Sequence, residues 1–300
     1  MNKINIIRSD KIYKKLLEQT SDKRDETFRS ELLAPFKQKF YQQQIPFNAH
    51  KEFGFDALML LTFANITSRN IKDSHLELIE KLDDPFWEEC RQAIALALDK
   101  FKKQGIHTKV KEYHFTTLIG EESHPAMYLN DYYSGDGGIP GYIFLSLIPN
   151  EDTLKRAKAA ICHEVNHNVR YQYIKWDGGS LPELIISEGL AENFVENIYG
   201  KEFLGPWVTN VDWEKEGSLI KNKIYDKLNI TSMNQASAYL YGDPLTKFQG
   251  AKPVGLSHGA GYACGYYLVK YYLEKTKIAI ENASILPAHD ILKEVEKFWE

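Results

Sequence analysis

The octapeptide AICHEVNH, residues 160–167, lies in the segment on which both the fold and the chemistry of this chain depend. Apolar residues recur through this segment at steps of three and four: Leu154, Ala157, Ile161, Val165 and Val169. That spacing predicts an amphipathic helix with one buried face. Because Asn150 can cap the helix and acidic residues occupy its first turn, we expect it to begin near Glu151.

Two histidines, His163 and His167, lie four residues apart on another face of this predicted helix. Such residues project from the same side, displaced by about 6 Å along the axis, so both imidazoles can reach one cation. Glu164, beside the first histidine, can point toward a nearby water without binding the cation. The pattern predicts a hydrolase with one zinc ion (Zn2+) and Glu164 as general base. The alternative is an exposed helix with two unrelated histidines.

A second helix is predicted after the motif. The run Ser180-Leu181-Pro182-Glu183 has the spacing of a capping box, with proline in the first turn. We therefore expect a helix from Leu181 to about Tyr199, ended by Gly200.

This second helix offers a third metal ligand, Glu188. Its distance along the chain from His167 leaves room for a turn and an antiparallel return. The small residues Gly189 and Ala191 would let the second helix approach the first closely. Glu192, one turn further on, is the alternative ligand, or an acceptor for the ring N–H of a ligating histidine.

Two further stretches of sequence extend the motif to a pattern typical of particular protein families. With Ser187-Glu188-Gly189-Leu190-Ala191-Glu192, the HEVNH motif resembles the gluzincin pattern of zinc metallopeptidases. The run GAGYACGYYLV, residues 259–269, adds a resemblance to a bacterial family of predicted Zn-dependent proteases. The resemblance covers the chain from about Gly105 onward, and the preceding helices more loosely.

That resemblance implies a zincin-like core made of a small twisted sheet, an active-site helix and a glutamate helix. It also implies a peptide or protein as substrate. By the same resemblance, the strand near Tyr142 to Leu147 would be the sheet edge that pairs with an extended peptide. A peptidase needs a donor to the oxyanion that forms at the scissile carbonyl, and His258 and Tyr262 are the candidates. The alternative for both is a packing role.

The wider pattern predicts the α+β class. Residues 1–104 are expected to form a helical N-terminal region, with helices over 11–19, 24–43 and from Asp84 to about Gln104. Residues 105–300 are expected to form the zincin-like catalytic region, either separately or in one compact unit with the first. Strands are predicted from His107 to Ile119 and from Tyr142 to Ile148, with a glycine-rich turn at 134–138 between them. Helices are also predicted over 261–274 and 290–299.

Charge, hydropathy and cysteine content indicate which partners and which compartment to expect. The formal net charge is −4 and no basic stripe is present, so nucleic acid is not an expected partner. The apolar segment from Phe53 to Ile66 is too short to cross a bilayer and predicts a buried helix. Three scattered cysteines and a start without a signal-like apolar run predict a cytoplasmic protein.

Two other functions fit the same motif. A zinc-containing binding or regulatory protein could retain the site without turning over peptides, although structural zinc has no use for a general base. Hydrolysis of a non-peptide amide would use the same residues as peptide cleavage.

Overall fold

The computed structural model describes residues 2–51 and 54–300. Within these ranges, four strands form one sheet with the order β1-β2-β4-β3. The strands are β1 (Lys3–Ile6), β2 (Glu112–Ile119), β3 (Tyr133–Asp136) and β4 (Tyr142–Leu147). β1, β2 and β4 are parallel, whereas β3 is antiparallel to β4. This small mixed sheet in a mainly helical chain confirms the predicted α+β class.

Helices form most of the regular structure. They are α1 (Ser9–Leu17), α2 (Ser21–Thr27), α3 (Lys37–Gln42), α4 (Ala57–Thr62), α5 (Leu76–Glu80), α6 (Asp84–Lys103), α7 (Pro125–Tyr128), α8 (Glu151–Tyr173), α9 (Leu181–Tyr199), α10 (Pro206–Thr209), α11 (Trp213–Tyr225), α12 (Met233–Tyr241), α13 (Asp243–Phe248), α14 (Ala260–Thr276), α15 (Ile280–Ser284) and α16 (Ala288–Glu294). A π-helical segment (Phe28–Leu33) and a 3-10 turn (Ala34–Phe36) join α2 to α3.

The predicted helices α6, α8 and α9 are confirmed. The amide of Thr153 donates to Asn150 Oδ1 at 2.9 Å, at the start of α8. The amide of Glu183 donates to the Ser180 hydroxyl at 3.2 Å, at the start of α9. Both bonds satisfy backbone donors that have no partner inside the helix, which is why these boundaries can be located from local sequence.

Other helices differ from the prediction. The expected helix over 24–43 is interrupted around Pro35, because proline lacks a backbone N–H and its ring crowds the preceding turn. The last helix ends at Glu294 and a 3-10 turn follows it. In the apolar segment predicted to begin at Phe53, that residue lies outside the described ranges. The helix found there is α4, capped by Asp56, which accepts from the Met59 amide at 2.9 Å.

The order and positions of the strands correct three expectations. β4, predicted as the edge that pairs with a peptide, is internal because β2 and β3 flank it. The edge on that side is β3, which includes part of the segment predicted to be a glycine-rich turn. At the opposite edge, β1 lies in the region predicted to be helical. Short strands depend on partners far away in the chain, so local composition carries little signal for them.

The chain forms two compact units. The first comprises Met1–Leu96 and Val110–Glu164, and the second comprises Ala97–Lys109 and Val165–Glu300. The first contains the sheet, and in its core Phe36 packs on Phe144 with ring centroids 4.3 Å apart. The boundary predicted at residue 104 divides the chain into a helical region and a catalytic region. It does not describe compact units, so the predicted division stays a prediction.

In the second unit, α9 and α14 approach each other closely. A Cβ at Gly189 would overlap the carbonyl group of Gly265, and a Cβ at Gly265 would lie 3.1 Å from the Gly189 nitrogen. Glycine at both positions lets the two backbones touch. Gly189 was expected to face the motif helix α8, but it packs against α14 instead.

Within the described ranges, no helix combines the length and the apolar character needed to cross a membrane. Cys90, Cys162 and Cys264 are buried thiols that form no disulfide among the described residues. Burial raises the pKa of Cys90 and of Cys264, which keeps both thiols protonated and unreactive.

Candidate metal centre

The two histidines of the motif lie one turn apart on α8, and both are buried. His167 Nε2 lies 3.3 Å from Glu188 Oε2 on α9. One ligand atom from each of His163, His167 and Glu188 lies within 4.8 Å of the other two. Two imidazoles and one carboxylate at this spacing fit a zinc ion, which takes nitrogen and oxygen ligands at about 2.0–2.2 Å and leaves a position for water.

A buried ion pair joins the helices that carry His167 and Glu188. The Arg170 guanidinium donates to both carboxylate oxygens of Glu183, at 2.8 and 2.7 Å. It also donates to the carbonyl oxygens of Ser284 and Leu286, at 2.9 and 2.8 Å. The two bonds to Glu183 hold α9 against α8, one turn after His167. The other two tie α8 to the end of α15 and the residues that follow it.

Sequence reasoning did not single out Arg170. The available signal was its spacing, because Arg170 follows His167 by three residues and so lies on the same helix face as the motif histidines. Its partner Glu183 was recognised only as part of a capping box. The pairing itself depends on the fold, since nothing local identifies which acid an arginine meets.

Tyr171 is a second residue that the sequence did not single out. Its ring lies nearly parallel to the His167 imidazole, with an interplanar angle of 18° and centroids 6.3 Å apart. Burial raises the pKa of Tyr171, so its hydroxyl stays protonated. The tyrosine ring is thus part of the surroundings of the candidate ligand His167.

Glu192, the alternative ligand, is almost fully buried. Its two carboxylate oxygens accept hydrogen bonds from the Gly205 amide, at 2.9 Å, and from the Trp207 indole N–H, at 2.8 Å. Glu192 therefore anchors the segment around Trp207 to α9. It is not among the three residues grouped for a metal in the described ranges.

The two predicted oxyanion donors lie at the start of α14. Tyr262 is in the first turn, with its ring 5.7 Å from that of Trp207 and 6.1 Å from that of Tyr241. His258 precedes Gly259, where a Cβ would lie 2.8 Å from backbone atoms of Trp207. Tyr262 thus belongs to the surroundings of the indole that binds Glu192, and His258 precedes a glycine that lies against the Trp207 backbone. Their role as donors stays a prediction.

The general-base candidate, Glu164, lies against Gly135 of the edge strand and against Gly137 just after it. A Cβ at Gly135 would be 2.5 Å from Glu164 Cδ and closer still to Oε1. A Cβ at Gly137 would be 2.8 Å from Glu164 Cβ and would overlap its carbonyl. Only glycine allows this approach, so the glycines predicted to make a turn instead let β3 lie on the glutamate. Glycine inside a strand is the signal that could have indicated it.

A mixed α+β fold with two histidines and a glutamate grouped for one cation indicates the class of zinc-dependent hydrolases. The family described as "Predicted Zn-dependent protease (DUF2268)" matches residues 86–293, and the chain belongs to that family. The resemblance to a family of predicted Zn-dependent proteases is thereby confirmed.

One relative extends the similarity along almost the entire chain. "Uncharacterized protein YjfC" of Bacillus subtilis (strain 168) is 32% identical over 293 residues, covering 95% of this chain and 96% of the relative. No solved structure matches the chain.

Proposed function

We propose that this protein is a zinc-dependent peptidase in which His163, His167 and Glu188 hold one zinc ion. The observation that carries the proposal is the grouping of these three side chains within 4.8 Å, directly beside Glu164. Membership of a family of predicted Zn-dependent proteases supports the same chemistry.

When bound, zinc acts as a Lewis acid that activates water and polarises a carbonyl. Glu164 accepts the proton of the attacking water and returns it to the leaving amine. The buried setting of Glu164 and the backbone of β3 against it keep the carboxylate in one place. The proton acceptor is therefore preorganised for the reaction.

The strand β3 supplies the substrate-binding edge in this proposal. An extended peptide that adds to a sheet edge is held by backbone hydrogen bonds, whatever its side chains. On β3 such a peptide would run beside Glu164, whose carboxylate lies against Gly135. β3 thus takes the role expected of the strand at Tyr142 to Leu147, within the proposed zincin-like core.

Glu188 is the proposed third ligand rather than Glu192. Glu188 Oε2 is close to His167 Nε2, whereas both oxygens of Glu192 bind the Gly205 and Trp207 donors. A carboxylate that already accepts two hydrogen bonds is poorly placed to turn toward a metal. His258 and Tyr262 remain the proposed oxyanion donors.

Metal analysis tests the ligand set. The wild type should bind one zinc ion per chain. His163→Ala and Glu188→Ala should each weaken zinc binding by more than about 100-fold, since even a hydrogen-bond partner of a ligand contributes about 10–100-fold. Glu192→Gln, which keeps the shape of the side chain, should retain stoichiometric zinc. Zinc retained by His163→Ala, or lost from Glu192→Gln in a folded protein, would contradict the assignment.

A library of internally quenched peptides tests the reaction. Cleavage that requires zinc supports a peptidase. A stoichiometric zinc protein that cleaves no peptide in the library would favour the zinc-containing binding or regulatory protein instead.

Gly135 in β3 and Gly138 just after it give a matched pair of variants. Gly135→Ala places a methyl group on the Glu164 carboxylate and should lower kcat/KM by about 10²-fold, because small displacements of reacting groups have effects of that size. Gly138→Ala is the control, since a Cβ there meets no atom within 4 Å. Zinc content should be unchanged in both. Equal activities of the two variants would show that the contact with Glu164 has no catalytic role.

A further inference from the structure

A buried lysine lies at the end of the edge strand β3. Lys39, on α3, is 1% exposed, and its ammonium group donates to Asp136 Oδ2 at 2.6 Å. It also donates to Gln43 Oε1 at 3.2 Å and lies 5.5 Å from the ring centroid of Phe144. Lysine is almost never fully buried unless it is paired. The ion pair with Asp136 is therefore the feature that allows Lys39 to be buried here.

The partner of Lys39 belongs to the strand that contacts Glu164. Asp136 is the last residue of β3, and it lies between the two glycines that touch Glu164. In the sheet, Asp136 is opposite Phe144, so the ammonium group contacts both members of one cross-strand pair. The ion pair therefore acts at the end of β3 that lies nearest to Glu164.

The edge strand and the residues just after it are rich in glycine, so little stabilises their ordered conformation. Glycine loses more conformational freedom than other residues when it is ordered, and it has no side chain to pack. Three of the five residues in Ser134-Gly135-Asp136-Gly137-Gly138 are glycine. A charge-assisted hydrogen bond from a buried residue compensates for that weakness, because such bonds are about twice as strong as neutral ones.

We propose that the Lys39–Asp136 ion pair is a positioning element that holds β3 against Glu164 and so fixes the general base. The catalytic part of this inference rests on the proposed peptidase function. The structural part concerns only α3, β3 and Glu164.

The chain allows the pair to be removed without leaving a buried charge. Lys39→Met replaces the buried lysine by an apolar side chain of similar length, and Asp136, with 47% of its side chain exposed, remains hydrated. Lys3→Met is the control. It removes another ion pair of the same sheet, with Glu112, whose side chain is 51% exposed and also stays hydrated. This pair lies outside β3 and its contacts with Glu164.

Hydrogen exchange on the full-length protein tests the structural part. Backbone amides of residues 133–138 should exchange about tenfold faster in Lys39→Met than in the wild type, the size expected for one hydrogen bond to a charged group. Asp136→Asn should show the same local change. Lys3→Met should leave exchange in this segment unchanged. Wild-type exchange of the segment in Lys39→Met would overturn the proposal.

Steady-state kinetics test the catalytic part. In Lys39→Met, kcat should fall about tenfold with full zinc content and a smaller change in KM, because Glu164 acts in the chemical step. Faster exchange with unchanged kcat, or a change in KM alone, would overturn the link to the base. If the wild type cleaves no peptide, the peptidase proposal fails, while the exchange experiment still decides whether the ion pair holds β3.

Discussion

Replacing Glu164 by glutamine is expected to lower peptide hydrolysis by about 10²–10⁴-fold, the usual contribution of a positioned general base. Glutamine preserves the shape of the side chain beside Gly135 but cannot accept the proton of the attacking water. The proposed metal ligands are other residues, so the variant should keep one zinc ion per chain. Measurement of kcat/KM together with zinc content on the same preparation checks both parts.

His163→Ala is the comparison for this experiment. It should lose zinc and activity together, whereas Glu164→Gln should separate the two. Full activity in the glutamine variant would refute the proposed mechanism. Loss of zinc from it would show that Glu164 contributes to the metal site rather than to proton transfer.

Arg170→Met is expected to lower the free energy of unfolding by about 3–5 kcal/mol, the range for breaking one side of a buried ion pair. The change leaves Glu183 charged and buried, and it removes the donors to the carbonyls of Ser284 and Leu286. Urea unfolding of the wild type and the variant measures the difference. Since Arg170 holds α9 near His167, the variant should also bind zinc more weakly.

An exposed ion pair on α6 provides the control. Lys103 pairs with Asp99 across one helical turn, with side chains 70% and 45% exposed. Lys103→Met should change the free energy of unfolding by no more than about 0.5 kcal/mol. The double variant Arg170→Met/Glu183→Leu should be more stable than Arg170→Met alone, because it leaves no unpaired buried carboxylate. An Arg170→Met protein as stable as Lys103→Met would refute the structural role given to this pair.

Much of the candidate site could be predicted from the sequence because its signals are local. The histidine spacing in residues 163–167 places both side chains on one face of any α-helix. Capping residues at Asn150 and Ser180 mark where the two helices begin. Glu188 could be proposed as a ligand because a capped helix of known start carries it at a suitable distance. The structure brings it to 3.3 Å from His167.

The contacts that surround these residues could not be predicted in the same way. The direction that Gly189 faces depends on which helix packs there, and that helix is α14. The identity of the sheet edge depends on the strand order, which places β3 outside β4. A glycine-rich segment can form a turn, or a strand that lies very close to a neighbouring group. Here the contact with Glu164 decides between the two, and local sequence does not reveal that contact.

By itself, the sequence determined the helix that carries the HEVNH motif, the helix that carries Glu188, and the chemical nature of the predicted ligands. These follow from periodicity and capping, which act over a few residues. The tertiary structure alone decided that β3 lies on Glu164, that Lys39 meets Asp136 across 97 residues of chain, and that Arg170 meets Glu183. The physical reason is that charge pairing and close backbone approach depend on distances in space, which local sequence does not specify.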